Sequence, residues 1–446
     1  MNINSNVLMS DRPNYTSNVC ELFVRNDFNN IRTSNDIGIR IKFNNWNDSG
    51  EKNAIIIFEN EQFIKYQENL CNLLYMFQKE IQSSKERNNI KKITKRSLNE
   101  IIQKDNQVIT ALNNLVKLGY QFYSLFSSKM ERNKECKPQF KTWKELFESN
   151  KGFGNKSIEK RISIEFMCGI TFPFGLLFLK NPNEFNWDSD LINFDEIIDG
   201  FFDNRALIFN SFNNSEITHN RPIYTPFRYL KENKEDDIAI VHAINKDLDV
   251  KREKESWKID KAIKSVSYAY DKEKFREKLF QNSFPQIVHL SAHLDFCKIE
   301  KCYKIMLSEN DIIKIEDIEN NNYFRQLNEQ ELPALFFFNT CNSGTSIVQF
   351  RRNFIEVLFP DYALGFIVTM FKVLNDDAGI FAKKFYQNFF KGVPLLDALQ
   401  KTKRDLINNY GIYSAIGYTI WQACPDLKYY LNQNINRRVI NKRKKT

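Results

Sequence analysis

The 446-residue chain lacks long apolar segments. No run of about eighteen uncharged apolar residues occurs, and the nearest stretch, residues 362–371, is too short to cross a bilayer. The first six residues, Met-Asn-Ile-Asn-Ser-Asn, do not begin a basic segment followed by an apolar one, so we expect no secretory signal. These absences predict a cytoplasmic protein without a transmembrane segment.

The chain also lacks the residue spacings of common metal and nucleotide sites. Its eight cysteines are irregularly spaced, which in a chain of this length indicates reduced thiols rather than a disulfide framework. Cys297 and Cys302 have no second ligand pair for zinc, and no carboxylate cluster has calcium-loop spacing. Residues 151–157 resemble a phosphate loop, but Asn155 replaces the required glycine. We therefore expect no metal and no cofactor.

The net positive charge is small outside the C-terminal tail. The formal net charge is +9, and six basic residues in positions 437–446 leave +3 for the remainder. Such a tail can contact RNA, DNA or an anionic membrane surface, although most tails of this kind are solvated ends. We do not expect nucleic acid as a partner, and a nucleic-acid-responsive regulator acting through the tail is kept as an alternative function.

Short apolar runs alternate with helical patterns along the chain. An N-terminal strand pair is predicted over 20–24 and 37–43, within a first segment 1–50 that has a disordered start. Helical spacing dominates a second segment, 51–150. Beyond it, strands are predicted at 161–166, 206–209, 238–244, 286–290, 334–338, 365–370 and 413–421, and helices at 259–280, 375–389 and 395–407. Apolar strands that alternate with helices predict an α/β fold with a mostly parallel sheet flanked by helices.

Two of these strands run into reactive residues. Strand 334–338 precedes Asn339-Thr-Cys341, and strand 286–290 precedes Ser291-Ala-His293. Catalytic groups of open α/β sheets gather at the carboxyl ends of parallel strands. If the two strands are neighbours, Cys341 and His293 face each other, and a thiol within reach of an imidazole is a cysteine nucleophile with its base. His289 lies mid-strand and is interpreted as a hydrogen-bonded core residue, whereas His242 and His219 have no visible partner.

The order of these motifs resembles the CHAT family of caspase-like cysteine peptidases, which are related to separases and metacaspases. The resemblance covers about residues 105–430 and is carried by segments 115–126, 170–177, 287–293, 338–344, 385–403 and 417–425. Gly175 stands where the family usually has glutamate. The resemblance implies a caspase-like peptidase domain over 151–436, followed by the basic tail 437–446.

The chemistry of this pair needs three groups. Cys341 would attack the scissile carbonyl, and His293 would carry the proton to the leaving amine. The backbone N–H groups of Cys341 and Leu294 would hold the oxyanion. The family usually has glycine at position 294, and leucine adopts positive φ poorly. Either the loop is rebuilt, or a partner assembles the site, or the chain is a non-catalytic caspase-like interaction module.

The substrate pocket is less well specified. In the clan that the chain resembles, the residue two positions before the nucleophile lines the pocket for the substrate residue preceding the cut. Here it is Asn339, whose neutral side chain does not select a substrate class. Asp295 is a second candidate pocket residue, or a surface carboxylate. The charged segments 231–237 and 245–258 are interpreted as a linker, either a self-cleavage site or solvated loops.

The primary prediction is a cysteine endopeptidase that uses the Cys341–His293 dyad to cleave a specific protein. The resemblance further implies a role in bacterial antiphage defence, with a gasdermin-like pore-former as a possible substrate and a partner or signal that activates the peptidase.

Overall fold

The computed structural model describes residues 18–25, 36–43, 55–88, 101, 105–148, 161–167, 172–187, 193–213, 239–258, 263, 265–281, 284–297, 302–319, 327, 333–340, 354–358 and 361–421. The strands are β1 (Asn18–Arg25), β2 (Asp36–Phe43), β3 (Ile55–Glu59), β4 (Arg161–Met167), β5 (Leu207–Asn213), β6 (Ala239–Ile244), β7 (Ser265–Ala269), β8 (Ile287–Ser291), β9 (His293–Cys297), β10 (Cys302–Met306), β11 (Ile312–Lys314), β12 (Ala334–Asn339), β13 (Ala363–Thr369) and β14 (Tyr418–Trp421).

The helices surround these strands. They are α1 (Asn60–Arg87), α2 (Asn106–Arg132), α3 (Lys137–Trp143), α4 (Phe194–Ile198), α5 (Phe202–Arg205), α6 (Lys251–Ser256), α7 (Lys272–Phe280), α8 (Ile315–Glu319), α9 (Phe354–Leu358), α10 (Asn375–Phe389) and α11 (Leu395–Tyr410). Short 3-10 turns occur at Phe174–Leu176, Pro182–Glu184 and Tyr413–Gly417, and a π-helical turn extends α3 over Lys144–Glu148. Within the described ranges, no helix combines the length and apolarity needed to cross a membrane.

A single large sheet forms the centre of the molecule. Its eleven strands lie in the order β3-β2-β1-β4-β5-β14-β13-β12-β8-β6-β7, and β9, β10 and β11 form a separate three-stranded sheet. Pairing is antiparallel for β1 with β2, β2 with β3, and β13 with β14, and parallel for the other seven pairs of the large sheet. The predicted α/β fold with a mostly parallel sheet flanked by helices is therefore confirmed.

The central strands β8 and β12 are buried along their whole length, which explains their uninterrupted apolar sequences. The helices bury apolar stripes: Leu70, Leu74 and Phe77 are buried on α1, and Phe381, Phe385 and Phe389 are buried on α10. Since each stripe faces the core, burial of these side chains fixes the helices against the sheet.

The N-terminal strand pair is also confirmed, because β1 and β2 pair antiparallel from Cys20 opposite Phe43 to Arg25 opposite Gly38. β1 additionally pairs parallel with β4, so the front strands extend the central sheet. The division into segments 1–50, 51–150, 151–436 and 437–446 stays a prediction. The disordered start and the basic tail lie outside the described residues, except that β1 begins at Asn18.

Two predicted elements differ in the structure. The helix predicted over 259–280 is wrong in its first part, because Ser265–Ala269 forms β7 and the helix begins only at Lys272. β7 is an edge strand that is only partly buried, so its apolar signal is weak. The strand predicted over 413–421 starts late, since Tyr413–Gly417 forms a 3-10 turn before β14.

Gly119 shows why α2 approaches the core so closely. A Cβ atom at this position would lie 2.6 Å from the carbonyl oxygen of Leu176, a contact that no larger residue could make without backbone movement. The helix in the motif 115–126 therefore packs directly on the 3-10 turn that follows β4.

Gly175, at the position where the family usually has glutamate, lies beside another carboxylate. A Cβ atom there would lie 3.2 Å from Oδ1 of Asp203, and this Asp203 oxygen pairs with the Lys403 ammonium at 2.7 Å. Both side chains of the pair are 3% exposed. Burial raises the pKa of Asp203, while the ammonium of Lys403 opposes that rise. Asp203 therefore supplies the negative charge that stabilises buried Lys403, and a larger side chain at position 175 would compete with it.

Asp377 makes the stability of the fold pH-dependent. It is buried in the first turn of α10, accepts a hydrogen bond from Ser414 Oγ at 3.0 Å, and burial raises its pKa to about 7. Nearby Asp376 acts in the same direction, whereas Ser414, Lys85 and Arg252 oppose it. Because the folded state binds this proton more tightly than the unfolded chain, the stabilisation is complete at acidic pH and is lost as the pH rises through about 7.

We therefore expect Asp377→Asn to raise the free energy of unfolding by about 1–3 kcal/mol at pH 8 and to change it little at pH 4. Urea denaturation at the two pH values measures this difference. Asp376→Asn, at an exposed neighbouring position, is the matched control, and its expected effect is within about 0.5 kcal/mol. Equal effects of Asp377→Asn at both pH values would contradict the assignment.

Candidate active site

Strands β8 and β12 are parallel neighbours, the arrangement on which the predicted Cys341–His293 site depends. In their register Leu290 lies opposite Phe338, and Ser291 lies opposite Asn339. His293 follows Ser291 by two residues, and Cys341 follows Asn339 by two residues. The two predicted catalytic residues thus follow the same register pair at the carboxyl edge of the sheet.

His293 is the first residue of β9 and its side chain is exposed. It lies opposite Met306 in the antiparallel ladder between β9 and β10. Cys341 lies outside the described residues. The Cys341–His293 dyad and the oxyanion donor at Cys341 therefore stay predictions.

The other predicted site residues are described. Leu294 pairs with Ile305 in the same ladder, so its backbone is extended, a conformation that leucine adopts without strain. Asp295 is exposed and lies opposite Lys304. Asn339 is buried at the end of β12, 7% exposed. The roles of Leu294 as oxyanion donor and of Asp295 and Asn339 in a substrate pocket remain predictions.

A group of buried polar side chains lies next to this edge on one face of the sheet. We call it the buried polar cluster: His242 on β6, Glu253 on α6, His289 and Ser291 on β8, and Asn339 on β12. His242 lies opposite His289 in the register of β6 and β8, so the cluster spans three adjacent strands. The interpretation of His289 as a hydrogen-bonded core residue is confirmed, because it is fully buried and its Nδ1 lies 3.0 Å from the Tyr386 hydroxyl.

The hydrogen bonds of the cluster converge on Glu253. Its Oε1 accepts from the Ser291 hydroxyl at 2.9 Å and from the Asn339 side-chain amide, and lies 3.5 Å from His289 Nε2. The Tyr418 hydroxyl donates to Asn339 Oδ1 at 2.6 Å. Both ends of the Asn339 amide are therefore engaged, and this fixes its orientation.

His242 extends the network beyond Ser291, which corrects the expectation that it has no partner. The Trp257 indole N–H, which can only donate, lies 3.2 Å from His242 Nδ1, and His242 Nε2 lies 2.8 Å from Ser291 Oγ. Nδ1 must therefore accept, and Nε2 carries the proton that it donates to Ser291. Burial lowers the pKa of His242 well below its ordinary value, with the neighbouring His289 as a second cause, so the ring is neutral. His219 lies outside the described residues.

The three titratable side chains of the buried polar cluster lie close enough together to bind a metal ion. The donor atoms of His242, Glu253 and His289 lie within 4.8 Å of one another. A metal ligand must present an unprotonated ring nitrogen toward the ion. Because the Trp257 indole fixes the protonated nitrogen of His242 on the side of Ser291 and Glu253, the hydrogen-bonded arrangement does not fit a metal ion.

Aromatic rings enclose the cluster. Trp257 lies 5.4 Å from His289 and 4.7 Å from Tyr386, and Phe337 lies 4.8 Å from His289, measured between ring centroids. The side chains of the cluster are at most 7% exposed, so an unpaired polar group in this environment would be costly.

Glu253 is the residue that the sequence analysis missed. The sequence predicts residues 245–258 to be part of a charged linker, either a self-cleavage site or solvated loops. Within this segment Lys251–Ser256 forms α6, so the interpretation of these six residues as a solvated loop is wrong. Val250, Glu253 and Trp257 are all buried. Their spacing of three and four residues is the helical signal that could have identified an acidic residue on a buried face. Residues 231–237 lie outside the described residues.

Two free cysteines in the described part of the chain, Cys71 and Cys136, are not suited to act as nucleophiles. Burial raises the pKa of Cys71 to about 12, with Glu68 as a second cause, and burial raises that of Cys136 to about 11 with a similar contribution from Glu135. Since the thiolate is the reactive species, both thiols are inert at neutral pH.

Comparison with known proteins finds a match to a family model. Residues 245–421, less than half of the chain, match the family model described as the CHAT domain. The matched range contains α6, β8, β12 and the residues of the buried polar cluster except His242. No curated protein matches the chain significantly.

The solved structures to which this chain is similar include a cysteine proteinase. The complex of Porphyromonas gingivalis RgpB pro- and mature domains has a TM-score of 0.41 and 10% identity over 68% of this chain and 69% of that one. The Arg specific cysteine proteinase gingipain R has a TM-score of 0.39 and 10% identity over 62% and 66%. A Saccharomyces cerevisiae separase–securin complex has a TM-score of 0.41 and 11% identity over 92% of this chain and 30% of that one.

Proposed function

We propose that the chain is a cysteine endopeptidase in which Cys341 is the nucleophile and His293 the general base and acid. The observation that carries this proposal is the register pair Ser291 and Asn339, from which each reactive residue is separated by one intervening residue. The match of residues 245–421 to the CHAT domain supports it independently of that geometry.

The chemistry follows from these side chains. His293 takes the proton of the Cys341 thiol, and the thiolate attacks the scissile carbonyl to form a tetrahedral intermediate. Backbone N–H groups of Cys341 and Leu294 stabilise its oxyanion, and His293 returns the proton to the leaving amine. Water, activated by the same imidazole, then attacks the acyl-enzyme and releases the second product.

The exposure of His293 supports an endopeptidase that acts on segments of other proteins, because an extended peptide can approach an open strand end. A place in antiphage defence, with a gasdermin-like pore-former as the substrate and an activating partner or signal, is proposed on the sequence resemblance alone. Incubation with a candidate pore-former tests it, and a protein left uncut by active enzyme would be excluded as the substrate.

A peptidyl acyloxymethyl ketone tests the proposed nucleophile. This class of probe alkylates the cysteine of a cysteine peptidase when the imidazole has activated it. We expect mass spectrometry to locate the label on Cys341 in the wild type and to find it reduced at least about tenfold in His293→Ala. Absence of label on Cys341, in the presence of candidate activators, would instead favour the non-catalytic interaction module.

A further inference from the structure

We propose that Glu253 is a positioning residue for the Cys341–His293 dyad, holding the carboxyl ends of β8 and β12 in a fixed relation through Ser291 and Asn339. This inference rests on the proposed function. It assigns a role in that function to a buried acidic side chain on a short helix outside the sheet.

The contacts of a single oxygen carry the argument. Oε1 of Glu253 accepts hydrogen bonds from Ser291 on β8 and from Asn339 on β12, and these two residues are register partners. One acceptor therefore spans the two strands at their last paired position. The chain reaches His293 and Cys341 two residues later on either side.

The donors that meet Glu253 are themselves oriented. The His242 ring donates to Ser291 Oγ, which leaves the Ser291 hydroxyl proton directed at Glu253. The Tyr418 hydroxyl holds the Asn339 carbonyl, which leaves the amide N–H directed at the same oxygen. The arrangement has one consistent set of donors and acceptors, so it specifies a single geometry.

The position of Glu253 is in turn fixed by α10. On the outer side of α6, Glu255 pairs with Lys383 of α10 at 2.7 Å. A Cβ atom at Gly379 of α10 would lie 3.2 Å from Cβ of Arg252, so the two helices are in close contact. Helix α10 also packs on β12 directly, through contacts of Phe381 and Phe385 with Phe337. The same helix therefore supports both Glu253 and the strand that leads to Cys341.

This arrangement matters for catalysis because small displacements of reacting groups are costly. A shift of about 1 Å in a positioned group can reduce a rate by about 10²-fold. Loss of the common acceptor would free the Ser291 and Asn339 side chains and loosen the relation between the two strand ends. The thiol and imidazole would then meet less often, and the thiolate of Cys341 would be less populated at neutral pH.

The test measures the reactivity of Cys341 without a substrate. Wild type, Glu253→Gln, Glu253→Leu and Ser291→Ala are alkylated with iodoacetamide between pH 6 and pH 9, and the modification of Cys341 is quantified by mass spectrometry. Glu273→Gln, the same carboxylate-to-amide change at an exposed position of α7, is the matched control. Melting temperatures are recorded for all variants.

We expect Glu253→Leu to move the alkylation profile toward that of an ordinary thiol, whose pKa is about 8.5, and to reduce the rate at pH 6.5 by about tenfold or more. Glu253→Gln keeps a carbonyl acceptor and should retain more of the wild-type rate than Glu253→Leu. Ser291→Ala should also reduce the alkylation rate of Cys341 at pH 6.5. This variant tests the positioning role if Glu253→Leu does not fold. Glu273→Gln should match the wild type.

The outcomes separate the two proposals. If the wild-type profile depends on His293 but stays unchanged in the Glu253 and Ser291 variants, the positioning role is overturned and the peptidase proposal stands. A lower melting temperature with an unchanged profile also overturns it, since Glu253 would then contribute to stability alone. If wild-type Cys341 behaves as an ordinary thiol and His293→Ala changes nothing, the proposed function fails, and the positioning role fails with it.

Discussion

Cys341→Ala is expected to reduce the cleavage rate of a peptide substrate by about 10⁴–10⁶-fold, and His293→Ala by a similar factor. The nucleophile and its base act as a unit, so removing either one removes the covalent step. The double variant should therefore be no slower than the slower single variant. This non-additivity distinguishes a dyad from two independent contributions to binding.

The measurement is single-turnover cleavage of a substrate identified by mass spectrometry. Cys71→Ala is the control, because burial holds that thiol protonated, with a pKa of about 12, and its Sγ donates to the Met370 carbonyl. Its rate should lie within about twofold of the wild type. Retention of more than about one tenth of the wild-type rate in Cys341→Ala or His293→Ala would contradict the dyad.

Asn339→Asp is expected to destabilise the fold by about 2–4 kcal/mol at pH 8. The substitution replaces an amide that donates to Glu253 by a carboxyl group, and places two buried acidic groups in contact. They cannot both be ionised at this separation without strong repulsion. The loss should shrink at pH 5, where one proton can be shared between them. Chemical denaturation at the two pH values measures the difference.

The second substitution Glu253→Gln should recover at least half of that loss, because the glutamine amide can donate to the new carboxylate. Asn409→Asp is the matched control: its side-chain amide donates to Asp405 at 2.6 Å on an exposed helix surface, so two carboxylates there are separated by water. Its cost should be about 0.5 kcal/mol or less. A loss of equal size at position 409, or no recovery in the double variant, would contradict the assigned contact.

This prediction bears on specificity as well. If residue 339 lines the substrate pocket as predicted, an acidic side chain there would favour a basic substrate residue before the cut. Here Glu253 and Tyr418 already bind both ends of the Asn339 amide. We therefore expect Asn339→Asp to lose stability rather than to create a pocket for arginine or lysine.

The parts of the fold that the sequence predicted are those with strong local signals. β8 and β12 are uninterrupted apolar runs that end in polar motifs, and their neighbouring, parallel arrangement was expected from those motifs. The edge strand β7 was missed because it is a short, only partly buried Ser-Val-Ser-Tyr-Ala segment, whose apolar signal is weak beside the charged stretches that flank it.

The site was only partly predictable for a different reason. Cys341 and His293 follow strands that can be read in the sequence, but Glu253 reaches the same place through a helix whose charged neighbours dominate its composition. Its partners Ser291 and Asn339 lie 38 and 86 residues away along the chain. No local pattern encodes contacts of that range, which depend on how α6 packs against the sheet.

A crystal structure of the wild type alkylated by the peptidyl ketone tests the central claim most directly. The account predicts a covalent bond between the probe and Cys341 Sγ, with a ring nitrogen of His293 within about 4 Å of that sulfur on the same face of the sheet. A structure of the adduct with the His293 ring on the opposite face, or with the probe bound to another residue, would contradict it.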